Sequence, residues 1–202
     1  MQRLNVVGVS GSGKSTFSSH LAELLGYRCI EMDALHWQTD WTELPDEDFA
    51  DLLEQTLCQP DPNDNDNDND NDNDNDNDND AETDGDSTWV LDGNYSKMVQ
   101  VKWRYVDTVI WLDFGFLTTF RRLFGRSIKR AFLRYEIWPG TGNRESLART
   151  FLSSDSVLLW MLKSFRRVSS YYQQVMVDPQ WSKIRFIRLR SPSQAAKFLA
   201  SI

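Results

Sequence analysis

Cysteine is scarce, with two residues in 202. Cys29 and Cys58 offer neither a C-x-x-C pair nor a metal-ligand spacing, so a disulfide framework and a zinc site are excluded as the basis of the fold. Such usage fits a reduced, cytoplasmic setting. Both thiols are expected to act as small apolar residues, Cys29 in a buried strand and Cys58 at a helix end. Long apolar runs are missing too. None reaches the roughly 18 residues that span a membrane. The N-terminus lacks the charged-then-apolar plan of a signal peptide, so no membrane association is expected. A third absence is local: between Asp61 and Asp86 there are 13 acidic residues and no Lys or Arg. The rest of the chain carries 22 basic against 17 acidic residues, a net of +5 behind the formal −8. That excess suits a protein that handles phosphates and is too small to argue for nucleic acid.

The length suits one well-buried domain over residues 1–202. Within it, Asn63 to Asp80 is nine Asn-Asp dipeptides. The repeat has no apolar surface to bury and repels itself, which predicts a disordered insert over about 60–87. It resembles part of a calcium loop in its Asp-x-Asp spacing, but the turn glycine and the closing glutamate are absent.

Around the insert, short apolar runs alternate with helical periodicity. Helices are predicted over Lys14 to Leu25, with Phe17, Leu21, Leu24 and Leu25 on one face and Gly26 as C-cap, and over Asp46 to Cys58. Further helices are predicted over Leu117 to Tyr135, Ser156 to Val177 and Pro192 to Ile202. "RCIEMDA" reads as the second strand and "IRFIRL" as the fifth. "TWVLD" and "DTVIWLD" are apolar without alternation, as in a sheet covered on both faces. Strands alternating with helices predict an α/β layer sandwich on a mostly parallel sheet.

The first strand breaks into Gly8-Val9-Ser10-Gly11-Ser12-Gly13-Lys14-Ser15, followed by Thr16. This satisfies G-x-x-x-x-G-K-[ST] between a strand and a helix, the context in which that motif cradles a nucleoside triphosphate. Gly11 and Gly13 let the backbone wrap phosphate oxygens, and the helix that starts there adds its positive end. Lys14 reaches the outer phosphates in such loops, and the Ser15 hydroxyl sits on Mg²⁺. ATP and Mg²⁺ are the expected cofactors. His20, in the same helix, reads as a surface residue.

Two runs end in apolar-apolar-Asp, at Asp92 and Asp113. Asp92 is the preferred metal-supporting carboxylate, because Gly-Asn-Tyr follows it in a turn that brings backbone close to phosphate. Asp113 remains the alternative. Asp33 is expected at the end of the second strand, where parallel sheets bind ligands. There it can orient an acceptor hydroxyl, or merely cap a helix. Arg122, Arg126 and Arg130 share one helical face, flanked by Arg121 and Arg134. With Gly125, Gly140 and Gly142 nearby, residues about 116–150 read as a phosphate-clamping lid, the alternatives being a solvated face or a nucleic-acid patch. Trp37 and Trp41 are candidates to stack on an acceptor ring, whereas Trp103, Trp111, Trp160 and Trp181 read as core.

Together "GVSGSGKST", "MDALHW", "WVLDGNY", "VIWLDF", "GNRESL" and "DSVLLW" resemble the adenylate-kinase-like P-loop proteins called DNA topology modulation (FlaR-like) proteins. The resemblance implies a P-loop NTPase fold of the nucleoside-monophosphate-kinase type: a three-layer α/β sandwich whose five parallel strands run in the order 2-3-1-4-5. It implies that Asp92 and Gly93 border the metal and acceptor sites, and that Arg122 and Arg126 belong to the lid. Adenylate kinases read "DGFPR" where this chain has "DGNYSK", with Lys97 in place of an arginine, so AMP is not carried over as acceptor. The expected function is ATP-dependent transfer to a small-molecule phosphate acceptor, the rival being a regulatory NTPase acting on DNA or a protein.

Overall fold

The computed structural model describes residues 1–59, 87–133, 137–138, 141–143 and 157–202, apart from the side chains of 131–133 and 157–160. The Asn-Asp insert lies outside these residues, as do Arg134, Gly140 and most of the second half of the expected lid.

Five strands, β1 (Arg3–Gly8), β2 (Arg28–Glu31), β3 (Trp89–Asp92), β4 (Thr108–Leu112) and β5 (Arg185–Leu189), form one sheet. All pairings are parallel and the order is β2-β3-β1-β4-β5, as the resemblance implied. The helices are α1 (Lys14–Leu25), α2 (Met32–His36), α3 (Asp46–Cys58), α4 (Val99–Lys102), α5 (Phe116–Leu133), α6 (Val157–Val175) and α7 (Pro192–Leu199).

Two cores explain why the strands are apolar without alternation. On one face Trp89, Leu91, Val109 and Trp111 pack with Phe49 and Leu53 of α3 and Tyr172 of α6. On the other, Val90, Ile110 and Leu112 join Leu4 and Val6, packed under Phe17 and Leu21 of α1 and Ala195 of α7. Each strand sends alternate side chains to opposite sides, and along the central strands β3, β1 and β4 both sides are buried. The result is three layers, helix on sheet on helix.

Three details depart from expectation. Leu24 is 48% exposed, because Ser18 and Ala22 take the inward positions of α1 beside Phe17 and Leu21. Gly26 does cap that helix, in the left-handed conformation with φ 70°. Cys29 and Cys58 are both exposed: on the edge strand β2 only Ile30 turns inward, and Cys58 is the last residue of α3. The second strand also stops early, and Met32 to His36 form a helix instead.

Candidate active site

The carboxyl ends of β1 and β3 meet here, with Val6 in register with Asp92. After β1 the chain turns through the glycines into α1. Gly13 precedes that helix at φ 91°, and no side chain caps it. The first-turn N–H groups are thereby left for an anion. Residues Gly11 to Phe17 line a cavity of about 540 Å³. Its other walls are Arg122, Arg126 and Arg130 of α5, with Pro192 and Ala195 of α7. His20 is exposed, as expected, yet it borders this cavity.

The arginine face of α5 turns toward the loop. Arg122 donates to the Ser12 carbonyl at 3.2 Å, and Arg126 donates to the Ser10 hydroxyl at 3.2 Å. Gly125 lies inside an unbroken helix, so α5 has no hinge there.

Asp92 is 5% exposed, and its Oδ1 has no hydrogen-bond partner among the described residues. Burial raises its carboxyl above the usual carboxylate range, while the Lys14 charge and a hydrogen bond from Ser15 pull it back. Lys14 is affected in the opposite sense. Desolvation lowers its ammonium, and the charges of Asp92 and Asp33 support it. An orphaned carboxylate oxygen beside a loop serine fits a hard divalent cation. Mg²⁺ binds through one or two carboxylates, phosphates and water rather than an all-protein cage. No group of three His, Cys, Asp or Glu side chains converges on a metal position among the described residues.

Asp33 sits in the first turn of α2 rather than at a strand end, and Glu31, not Asp33, is the residue before the helix. Its Oδ1 accepts a hydrogen bond from the Tyr95 hydroxyl at 2.7 Å. Tyr95 holds that position at φ 26°, a left-handed conformation that costs about 1–3 kcal/mol in a non-glycine residue. Glu31 has an exposed side chain, yet partial desolvation shifts its carboxyl upward, helped by the charges of Asp92 and Asp33. Asp113 is tied to Arg188. Lys97 is exposed and pairs with Asp46.

Beside Asp33, Trp37, Trp41 and Trp138 pack on one another with centroids 5.7 to 6.5 Å apart. Asn143 joins them: its amide donates to the Gln38 carbonyl and accepts from the Trp41 N–H. Trp103 and Trp111 are core, as expected, and Trp181 packs at the core edge.

Sequence reasoning missed Asn94 and Lys102. The Asn94 amide pairs with both backbone polar groups of Gly8, at 2.8 Å and 2.6 Å. Lys102 is wholly buried behind the turn after Asp92. Its signal was a lone lysine between apolar residues in "MVQVKW".

The arrangement resembles that of known proteins. A shikimate kinase from Acinetobacter baumannii, solved in complex with shikimate, is 12% identical, with a TM-score of 0.51 over 100% of this chain and 90% of that one. A gluconokinase from Sinorhizobium meliloti is 18% identical over 99% of this chain and 92% of its own, at a TM-score of 0.47. Such identities speak for fold alone: a P-loop NTPase, kinase-like α/β sandwich. No curated protein matches the sequence. The AAA domain pattern matches residues 5–139, which covers the loop, β1 from Asn5 onward, β2 to β4 and α5. On that match, the chain belongs to the AAA domain family.

Proposed function

We propose that the protein is an ATP-dependent small-molecule kinase of the adenylate-kinase-like group, akin to the topology modulation proteins. The observation that carries this reading is the pair Asp33 and Asp92, both close enough to act on the Lys14 ammonium. A carboxylate held by Tyr95, apart from the metal-supporting one, suits the orientation of an acceptor hydroxyl.

In this reading Gly8, Ser10 to Thr16 and the N-terminus of α1 bind the triphosphate. Ser15 and Asp92 would hold Mg²⁺, which would supply charge neutralisation at the phosphates. Lys14, Arg122 and Arg126 meet the charge that spreads over the transferred group. Asp33 orients the acceptor hydroxyl and receives its proton. Phosphoryl transfer asks little covalent chemistry of a protein, so positioning and charge neutralisation account for the rate. Arg122 and Arg126 are turned to the loop, which supports a lid over a nucleic-acid patch. A small acceptor is compatible with the shikimate kinase neighbour in fold.

The test is a screen of sugars, polyols, small acids, nucleosides and nucleotides with Mg²⁺-ATP, with Lys14→Ala as control. Phosphorylated product that disappears in the control is expected. ATP hydrolysis with no phosphorylated product, or equal turnover in Lys14→Ala, would sink the reading.

A further inference from the structure

Lys102 closes α4 with 0% of its surface exposed. Its Nζ donates to the Gly93 carbonyl at 3.0 Å and the Asn94 carbonyl at 2.5 Å, with Met32 Sδ at 3.9 Å. Taking an ammonium out of water costs several kcal/mol in effect, and an apolar side chain of the same volume avoids that cost. A cost of this kind calls for a return, and the bonds indicate where it lies.

The two carbonyls belong to the residues that follow Asp92. From Asn94 the chain of bonds continues to Gly8, whose N–H the Asn94 amide accepts and whose carbonyl it donates to. Asn5 braces the same turn from β1. Its amide donates to the carbonyls of Leu91 and Gly93, and its Oδ1 accepts the Trp103 indole N–H at 2.9 Å. Thus the carboxylate Asp92 and the first glycine of the phosphate loop are fixed to one another through a turn whose inner side is filled by one amine.

We propose that Lys102 is a positioning residue for the magnesium–nucleotide site: it holds the Gly93–Asn94 turn so that Asp92 faces Ser15 and Asn94 clamps Gly8. The inference rests on the kinase reading above for its purpose, though not for its measurement. Lys102 touches no reacting group. Burial lowers its ammonium to about 7, with Asp92 raising and Lys14 lowering it. The neutral amine still has two N–H groups for two carbonyls, so the hold survives either protonation state.

The experiment titrates Mg²⁺ into the full chain with a fluorescent ATP analogue and follows binding in wild type and Lys102→Met. The Mg²⁺ concentration at half-saturation is expected to rise about tenfold, the usual loss when a supporting partner of a metal ligand is removed. Analogue affinity without Mg²⁺ stays within about threefold, and the apo melting temperature falls, because the Asn94 carbonyl loses its donor while the Gly93 carbonyl keeps the Asn5 amide. A merely structural lysine would move the melting temperature and leave the Mg²⁺ dependence alone. An unshifted Mg²⁺ midpoint in a folded Lys102→Met overturns the proposal. Should that variant fail to fold, Asn94→Ser cuts the same chain of bonds from its other end, and an unshifted midpoint there overturns it equally. Because binding is read without an acceptor, a failure to find any phosphorylated product would sink the kinase reading and leave this result standing.

Discussion

Arg188 grips Asp113 across two neighbouring strands, its Nε 2.9 Å and its Nη2 2.6 Å from the same carboxylate oxygen. The guanidinium also lies over the Trp111 ring, 4.4 Å from its centroid. The pair bears on the choice between two aspartates that both end an apolar strand. One Asp113 oxygen already accepts both bonds of a cation, whereas Asp92 keeps a buried oxygen without a partner among the described residues.

Asp113→Asn should therefore act on stability. It leaves a half-buried guanidinium short of its counter-charge, a loss of about 1–3 kcal/mol by urea denaturation. Affinity for the fluorescent ATP analogue with Mg²⁺ should stay within about twofold, well under the tenfold that 1.4 kcal/mol represents. A collapse of that affinity with little loss of stability would reassign the cation to Asp113.

Asp92→Asn should do the reverse. The folded carboxyl titrates above its ordinary value because it is buried. A group raised in this way contributes its stability below the unfolded value, near pH 3.8, and loses it as pH rises through the folded value. At neutral pH the ionised carboxylate is thus a burden on the apo protein. The variant should melt higher than wild type at pH 7.5 without Mg²⁺, and the gap should close as pH falls toward 4. Mg²⁺-dependent nucleotide binding should be lost at the same time. A variant that melts lower at pH 7.5 would mean that Asp92 is a structural hydrogen-bond acceptor.

The phosphate loop was legible because its chemistry is local: glycines, a lysine and a hydroxyl in one turn between strand and helix. Burial on both sheet faces was legible in "WVLD" and "TVIWL" for the same reason, and the strand order came with the resemblance. Leu24 misled because helical spacing does not tell which edge of an apolar face turns outward when Ser18 and Ala22 are small enough to sit inside. Cys29 misled because its strand lies at the sheet edge, a property of topology rather than composition. Asn94, Lys102 and Asn143 were invisible for a further reason. Each acts on backbone groups outside its own element, Asn94 on Gly8, Lys102 on the turn after Asp92 and Asn143 on Gln38 and Trp41, and no spacing rule records such pairs.

Asn143 makes that long-range role measurable. Asp40 and Trp41 both adopt left-handed backbone, at φ 55° and 59°, and the Asn143 amide fixes the segment from both sides. Asn143→Ala should release it, at a cost of about 1–3 kcal/mol for two hydrogen bonds lost at part-buried backbone groups. The Trp41 amide should exchange with solvent faster, and the fluorescence of the Trp37, Trp41 and Trp138 cluster should shift to the red as water enters. Exchange as slow as in wild type would mean that the tryptophans hold the segment without the amide.

Gly11 and Gly13 of the phosphate loop should differ in a way that separates backing from wrapping. Both have positive φ, 86° at Gly11 and 91° at Gly13, so an alanine is strained at either position. The surroundings differ. A Cβ on Gly11 would meet the Thr119 carbonyl at 2.6 Å and Leu123 Cβ at 2.7 Å, both on α5 and neither free to swing away. A Cβ on Gly13 would meet only Arg122 Nη1 at 3.3 Å, the end of a side chain that can move. Gly13→Ala should cost the apo protein about 1–2 kcal/mol, the left-handed penalty alone. Gly11→Ala should cost more, because the loop must part from α5. Apo thermal melts of the two variants check this, and equal losses would show that α5 yields to the loop.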